Sequence, residues 1–133
     1  MLETPIPSGA PAPLTGRRIL VVEDEYFLGD DIGRALRALG AEVIGPVGNI
    51  ADALHVLERG DVLHGAVLDV NVRDQRIFPI ARGLTSRRVP FVFTTGYDKG
   101  TIVPEFEHIP LWEKPIDIAA MLRGLGGLIQ NQT

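Results

Sequence analysis

Four stretches of this 133-residue chain end in side chains that a hydrophobic core does not need. Gly65-Ala66-Val67-Leu68 leads to Asp69, and Ile19-Leu20-Val21-Val22 runs into Glu23-Asp24-Glu25. Phe91-Val92-Phe93-Thr94 reaches Thr95, and Leu111-Trp112-Glu113 is followed by Lys114. Burying an unpaired carboxylate is expensive, so Asp69 at the end of an apolar run calls for a function. Three carboxylates (Glu23, Asp24 and Asp69) gathered at one spot repel each other and are stable together mainly around a divalent cation. Oxygen ligands without His or Cys suit Mg²⁺ and not zinc. A nearby hydroxyl from Thr95 and an ammonium from Lys114 would bind the remaining oxygens of a phosphoryl group. Charge neutralisation and in-line positioning are what phosphoryl transfer needs.

The elements that must position these groups are legible in the apolar pattern. Short buried runs at 19–22, 42–46, 65–69, 90–95 and 111–113 read as strands. Between them, Leu28, Ile32, Ala35, Leu36 and Leu39 recur at helical spacing and stop at Gly40. Asn49 is the expected N-cap of a second helix through Ile50, Ala53, Leu54 and Leu57. Ile77, Ile80, Ala81 and Leu84 mark a third, with Pro79 confined to its first turn. Tyr97 to His108 holds few packing residues and contains Pro104, which predicts one or two helical turns at most. Ile118, Met121, Leu122 and Leu125 make a last helix, expected to fray through Gly126-Gly127. Alternating strands and helices predict a parallel sheet covered on both faces, an α/β/α sandwich whose strand ends share one edge.

Composition narrows the function. Hydrophobic residues make up 45% and charged residues 23% of the chain, as in ordinary globular domains. A formal net charge of -4, without a basic run, argues against a nucleic-acid surface. No apolar stretch is long enough to span a bilayer as a helix, and no signal-peptide pattern opens the chain. With no cysteines, disulfides and thiolate metal sites are excluded and a cytoplasmic setting is expected. Residues 1–16, rich in Pro and Ala, are expected to form a disordered arm, 17–129 a single domain and 130–133 a polar tail.

The four motifs Val22-Glu23-Asp24-Glu25, Val67-Leu68-Asp69-Val70-Asn71, Thr95-Gly96 and Lys114-Pro115, in this order, resemble the receiver domain of two-component response regulators, the CheY-like family. The resemblance covers nearly all of Arg17 to Leu128. It implies a flavodoxin-like (βα)5 fold with strand order 2-1-3-4-5 and a short or irregular fourth helix. By the same resemblance Asp69 is the phosphoacceptor. Asp24, Asp69 and the carbonyl of Asn71 would ligate Mg²⁺, with Glu23 acting mostly through water. Thr95 and Lys114 would each bind a phosphoryl oxygen, and Asn71 and Tyr97 would tune dephosphorylation. Phe93-Thr94-Thr95-Gly96-Tyr97 looks like the signature of the alphaproteobacterial FATGUY subgroup, whose usual partners are HWE-type or related histidine kinases. Two positions depart from the common pattern. Glu23 stands where most receivers carry Asp, and Leu111 stands where a switch aromatic is usual.

The expectation is therefore a stand-alone response regulator, not an enzyme in its own right. It would accept phosphate from a histidine kinase and act through an unknown downstream protein or as a phosphate sink, with a homodimer left open. Two other classes compete. A receiver-like interaction module would keep the fold without taking phosphate. A haloacid-dehalogenase-type phosphatase would need an acid two residues after its nucleophile, where Asn71 stands. His55, His64 and His108 lack ligand spacing and read as structural or exposed, and Trp112 as partly buried packing. Gly124-Leu125-Gly126-Gly127 follows no strand and so is not read as a phosphate loop.

Overall fold

The computed structural model describes residues 12–96 and 102–132. Five parallel strands form one sheet: β1 (Arg18–Val22), β2 (Glu42–Val47), β3 (Gly65–Asp69), β4 (Phe91–Thr95) and β5 (Leu111–Glu113). Their order is β2-β1-β3-β4-β5, the flavodoxin-like arrangement. Among the described residues four α-helices cover it: α1 (Tyr26–Ala38), α2 (Ile50–Glu58), α3 (Phe78–Ser86) and α4 (Ile118–Gln130). The order reverses between β1 and β3, which places a crevice at their carboxyl ends.

Successive residues of a strand point to opposite faces, and here both faces are buried. Ile19, Val21, Val67 and Val92 therefore pack with Ile32 and Leu36 of α1 and Met121, Leu125 and Ile129 of α4. Leu20, Val22, Leu68 and Phe93 pack the other way, with Ala53 and Leu57 of α2 and Ile80 and Leu84 of α3. Phe78, Phe91, Phe93 and Phe106 extend this second layer by edge-to-face, tilted and stacked ring contacts. At the amino end of the sheet His64 clamps β1. Its Nδ1 accepts the Arg18 N–H at 2.9 Å, and its own N–H donates to the Arg18 carbonyl at 2.8 Å. That is the structural role expected of it.

Asn49 caps α2, its side chain accepting the Asp52 N–H at 2.8 Å. Pro79 lies in the first turn of α3. Between 102 and 110 the described helical structure is one 3₁₀ turn, Pro104–Phe106, consistent with the irregular fourth helix. Residues 97–101, with Tyr97, lie outside the described residues.

Two expectations need correction, and one element is an addition. The last helix does not fray at Gly126-Gly127 but continues to Gln130, because Leu125 and Ile129 on one stripe are buried against the sheet. Packing outweighs the roughly 1 kcal/mol that each helical glycine costs relative to alanine. The chain joins the fold before Arg17: Leu14 is buried and its N–H donates to Leu39 at 2.8 Å. A hairpin pairing Asn71–Val72 with Gln75–Arg76 follows β3 and was not anticipated.

The pairing of β1 with β2 shifts register between Leu20 and Val22, so that Val22 pairs with Val47 and the Glu23 N–H donates to the Val47 carbonyl at 2.9 Å. Gly45 makes the shift possible with φ at +107°. A Cβ there would lie 2.6 Å from the Val47 nitrogen and 2.7 Å from the Val21 oxygen, both backbone atoms. Gly45→Ala is therefore expected to destabilise the fold by about 2 kcal/mol or more. Gly48→Ala, where nothing lies within 4 Å of an added Cβ, is expected to be close to neutral. Urea unfolding of the two variants checks the contrast, and equal stabilities would refute this account of the bulge.

Candidate functional site

The strand ends deliver the groups that the sequence singled out. β1 runs out at Val22 and presents Glu23 and Asp24, and β3 ends on Asp69 itself. β4 ends on Thr95, whose carbonyl accepts the Lys114 N–H at 2.8 Å, so the β4–β5 ladder carries Lys114 to the same edge. Asp24, Glu25, Asp69, Asn71, Asp74, Arg76, Thr95, Gly96 and Lys114 line one cleft of about 420 Å³.

Glu23 and Asp69 are each only 4% exposed, whereas Asp24 faces solvent. One carboxylate oxygen from each of Glu23, Asp24 and Asp69 falls within 4.8 Å of the other two. Lys114 Nζ sits among them, 2.9 Å from Asp69 Oδ2 and 3.4 Å from Glu23 Oε2. It also lies 3.2 Å from Glu25 Oε2, a contact the sequence reading missed because it treated Glu25 only as part of an acidic run. Backbone groups fix the remaining oxygens. The Asn71 N–H donates to Asp69 Oδ1 at 3.1 Å, the Glu25 N–H to Glu23 Oε2 at 3.0 Å and the Arg73 N–H to Asp24 Oδ2 at 2.8 Å. The last bond depends on the unforeseen hairpin, which turns through Arg73 and Asp74 at φ values of 49° and 64°. Thr95 is buried, and its hydroxyl makes a long 3.5 Å contact to the Gly96 carbonyl.

The donor set suits a hard divalent cation. It consists of carboxylate oxygens, and Glu23 Oε1 is buried with no hydrogen-bond partner among the described residues. A buried acceptor without a partner is costly, and a cation would satisfy it. Thr94 Oγ1 is likewise buried without a partner among the described residues, and nothing among them explains it. Leu111, at the place of the switch aromatic, is 39% exposed on β5. Trp112 packs against the core layer beneath α1 and α4, as expected.

The electrostatics follow from this crowding. Burial, and next the charge of Asp69, push the Glu23 carboxyl up to about 8, while the Glu25 N–H and the Lys114 ammonium pull it down. Burial by itself would lower Lys114, but its hydrogen bond to Asp69 and the Glu23 and Asp69 charges outweigh that and raise it. Without a bound cation the folded chain therefore binds the Glu23 proton more tightly than the unfolded chain, whose carboxyl titrates at the ordinary 4.5. A folded state that binds the extra proton loses stability as pH rises. In chelator, stability is expected to fall between about pH 4.5 and about pH 8, and Glu23→Gln to flatten that fall. Mg²⁺ competes with the proton, so it should stabilise the protein more at the upper end of the range. Urea midpoints across pH, with and without Mg²⁺, check this. A slope that Glu23→Gln leaves unchanged would refute it.

No protein-family model and no curated protein matches the chain. Solved structures do. The chain is similar to SdrG from Sphingomonas melonis Fr1, with 30% identity over 90% of this chain and 98% of that one, at a TM-score of 0.75. A response regulator receiver protein from Sinorhizobium medicae matches at 22% identity over 88% and 97% of the two chains, with a TM-score of 0.75. The receiver domain of a sensor histidine kinase from Pseudomonas aeruginosa, solved with a magnesium ion coordinated in its active-site cleft, matches at 23% identity. That match covers 87% of this chain and 99% of the other, with a TM-score of 0.69. Sheet order, an acid cleft at the carboxyl edge and these likenesses lead to one conclusion: the chain belongs to the response-regulator receiver family, CheY-like in fold.

Proposed function

We propose that the protein takes a phosphoryl group onto Asp69 from a histidine kinase in a Mg²⁺-dependent reaction. The observation that carries this reading is the buried Asp69 carboxylate at the end of β3, paired with Lys114 and with an oxygen within 4.8 Å of one from each of two further carboxylates. Glu23, Asp24 and Asp69, with the Asn71 carbonyl, are the groups that would hold Mg²⁺, which when bound screens the carboxylates and the phosphoryl oxygens.

An Asp69 carboxylate oxygen attacks phosphorus as the bond to the kinase histidine nitrogen breaks, and the electron pair leaves with the imidazole. Lys114, already beside Asp69 Oδ2, moves its ammonium onto a phosphoryl oxygen. Thr95 donates its hydroxyl to another. The aspartyl phosphate adds roughly -1.5 to -2 charge where Lys114 formerly met only carboxylates. Pairing of Thr95 and Lys114 with that charge favours a different arrangement of the loops around them.

With Leu111 in place of an aromatic, the switch runs without a ring swinging inward on β5. The run Phe93-Thr94-Thr95-Gly96-Tyr97 supports placement in the FATGUY subgroup and hence an HWE-type kinase as partner. The protein would act in the cytoplasm, stoichiometrically and not as an enzyme. Its output would be contact with a downstream protein or removal of phosphate from a shared kinase.

Intact mass after incubation with Mg²⁺ and acetyl phosphate or phosphoramidate is expected to show one added phosphoryl group. Asp69→Asn and chelation are each expected to abolish it. A folded protein that takes no phosphoryl group from small donors or from an HWE-type kinase would overturn the proposal in favour of an interaction module.

A further inference from the structure

The Asp69 cleft is strongly acidic for a site that must admit an anion. Asp24, Glu25, Asp69 and Asp74 line it, and the charge of Lys114 is already shared among Asp69, Glu23 and Glu25. Among the described residues Arg76 is the other cation of the lining.

Its placement is built into the fold. Arg76 pairs in register with Asn71 across the hairpin, and Asn71 is the residue whose N–H holds Asp69 Oδ1. The next residue is anchored too, Ile77 N–H donating to the Val70 carbonyl at 3.0 Å. The Arg76 guanidinium lies over the Phe78 ring, 5.0 Å from its centroid, and Phe78 is itself buried among Phe93 and Phe106. A guanidinium attracted to an aromatic face keeps its N–H groups for other partners, and its planar fork matches the oxygens of a carboxylate or phosphate. Lys114 is delivered by β5 and Arg76 by the hairpin after β3, so they reach the cleft from different elements.

We infer that Arg76 is a donor-binding residue, which draws an anionic phosphodonor into the cleft and holds an oxygen of its departing carboxylate. This rests on the proposed phosphorylation of Asp69 and adds a selectivity for the donor. With acetyl phosphate, the bond from Asp69 to phosphorus forms as the P–O bond to acetate breaks, and acetate leaves with the electron pair and a negative charge. With phosphoramidate, protonated on nitrogen, the P–N bond breaks and neutral ammonia leaves. Only the first donor gives Arg76 a departing anion to hold.

The test is the second-order rate of phosphorylation with each donor, followed by intact mass in Mg²⁺, for wild type, Arg76→Gln and Arg76→Lys. With acetyl phosphate, Arg76→Gln is expected to be about tenfold slower and Arg76→Lys to recover part of the loss. With phosphoramidate the change should be about twofold or less. Thermal denaturation run alongside shows whether each variant is folded, and Arg76→Lys keeps the test open if Arg76→Gln is not. An equal loss with both donors, or no loss with either, overturns the inference while leaving Asp69 as acceptor. A wild type that accepts phosphate from neither small donor nor kinase overturns the functional reading and this inference with it.

Discussion

The ammonium of Lys114 lies within 3.4 Å of three carboxylates, those of Asp69, Glu25 and Glu23. Close pairs of unit charges near a protein surface interact by on the order of a few kcal/mol. One cation therefore cannot cancel the mutual repulsion of Glu23, Asp24 and Asp69. The chain's own groups relieve it in three ways: Lys114 pairs with the cluster, backbone N–H groups bind the carboxylate oxygens, and burial beside Asp69 pushes the Glu23 carboxyl towards its neutral form. Under the proposed chemistry, each of these is a place where a metal ion or a phosphoryl group would be exchanged for what is there. The resting electrostatics and the proposed chemistry are the same set of contacts seen before and after that exchange.

The sheet supplies the precision that such exchange requires. Glu23 is aimed by a register shift that only a glycine at position 45 permits, and Lys114 by the extension of the β4–β5 ladder beyond Thr95. Asp69 closes a strand buried along its whole length, so its Cβ is fixed by core packing on both faces. Asp24, the exposed member, is tied down from another part of the chain, by the Arg73 N–H in the hairpin. The site is therefore rigid where the buried sheet ends and depends on a short surface turn where solvent begins.

Much of this could be read from the sequence because the signals were local. Apolar runs and helical spacings marked the five sheet strands and the four α-helices of the described residues, and Glu23, Asp24, Asp69 and Lys114 sat at or just past strand ends. The hairpin escaped because Arg73 and Asp74 lack the Asn-Gly or Asp-Gly chemistry that usually marks a turn with two positive φ values. Without the hairpin, Arg76 could not be brought to the cleft on paper. The length of α4 escaped for the opposite reason: Gly126 and Gly127 gave a strong local stop signal that the distant burial of Ile129 overrides. Glu25 looked like the solvated end of an acidic run until the fold brought Lys114, 89 positions further along the sequence, beside it.

Borohydride reduction followed by peptide mapping tests the central claim most directly. An acyl phosphate on an aspartate side chain is reduced to homoserine, whereas phosphate on a hydroxyl or an imidazole is not. The account predicts homoserine at position 69 in protein treated with Mg²⁺ and phosphodonor, and at no other acid of the cleft. Homoserine at position 24, or phosphate recovered on Thr95 or a histidine with Asp69 intact, would contradict it.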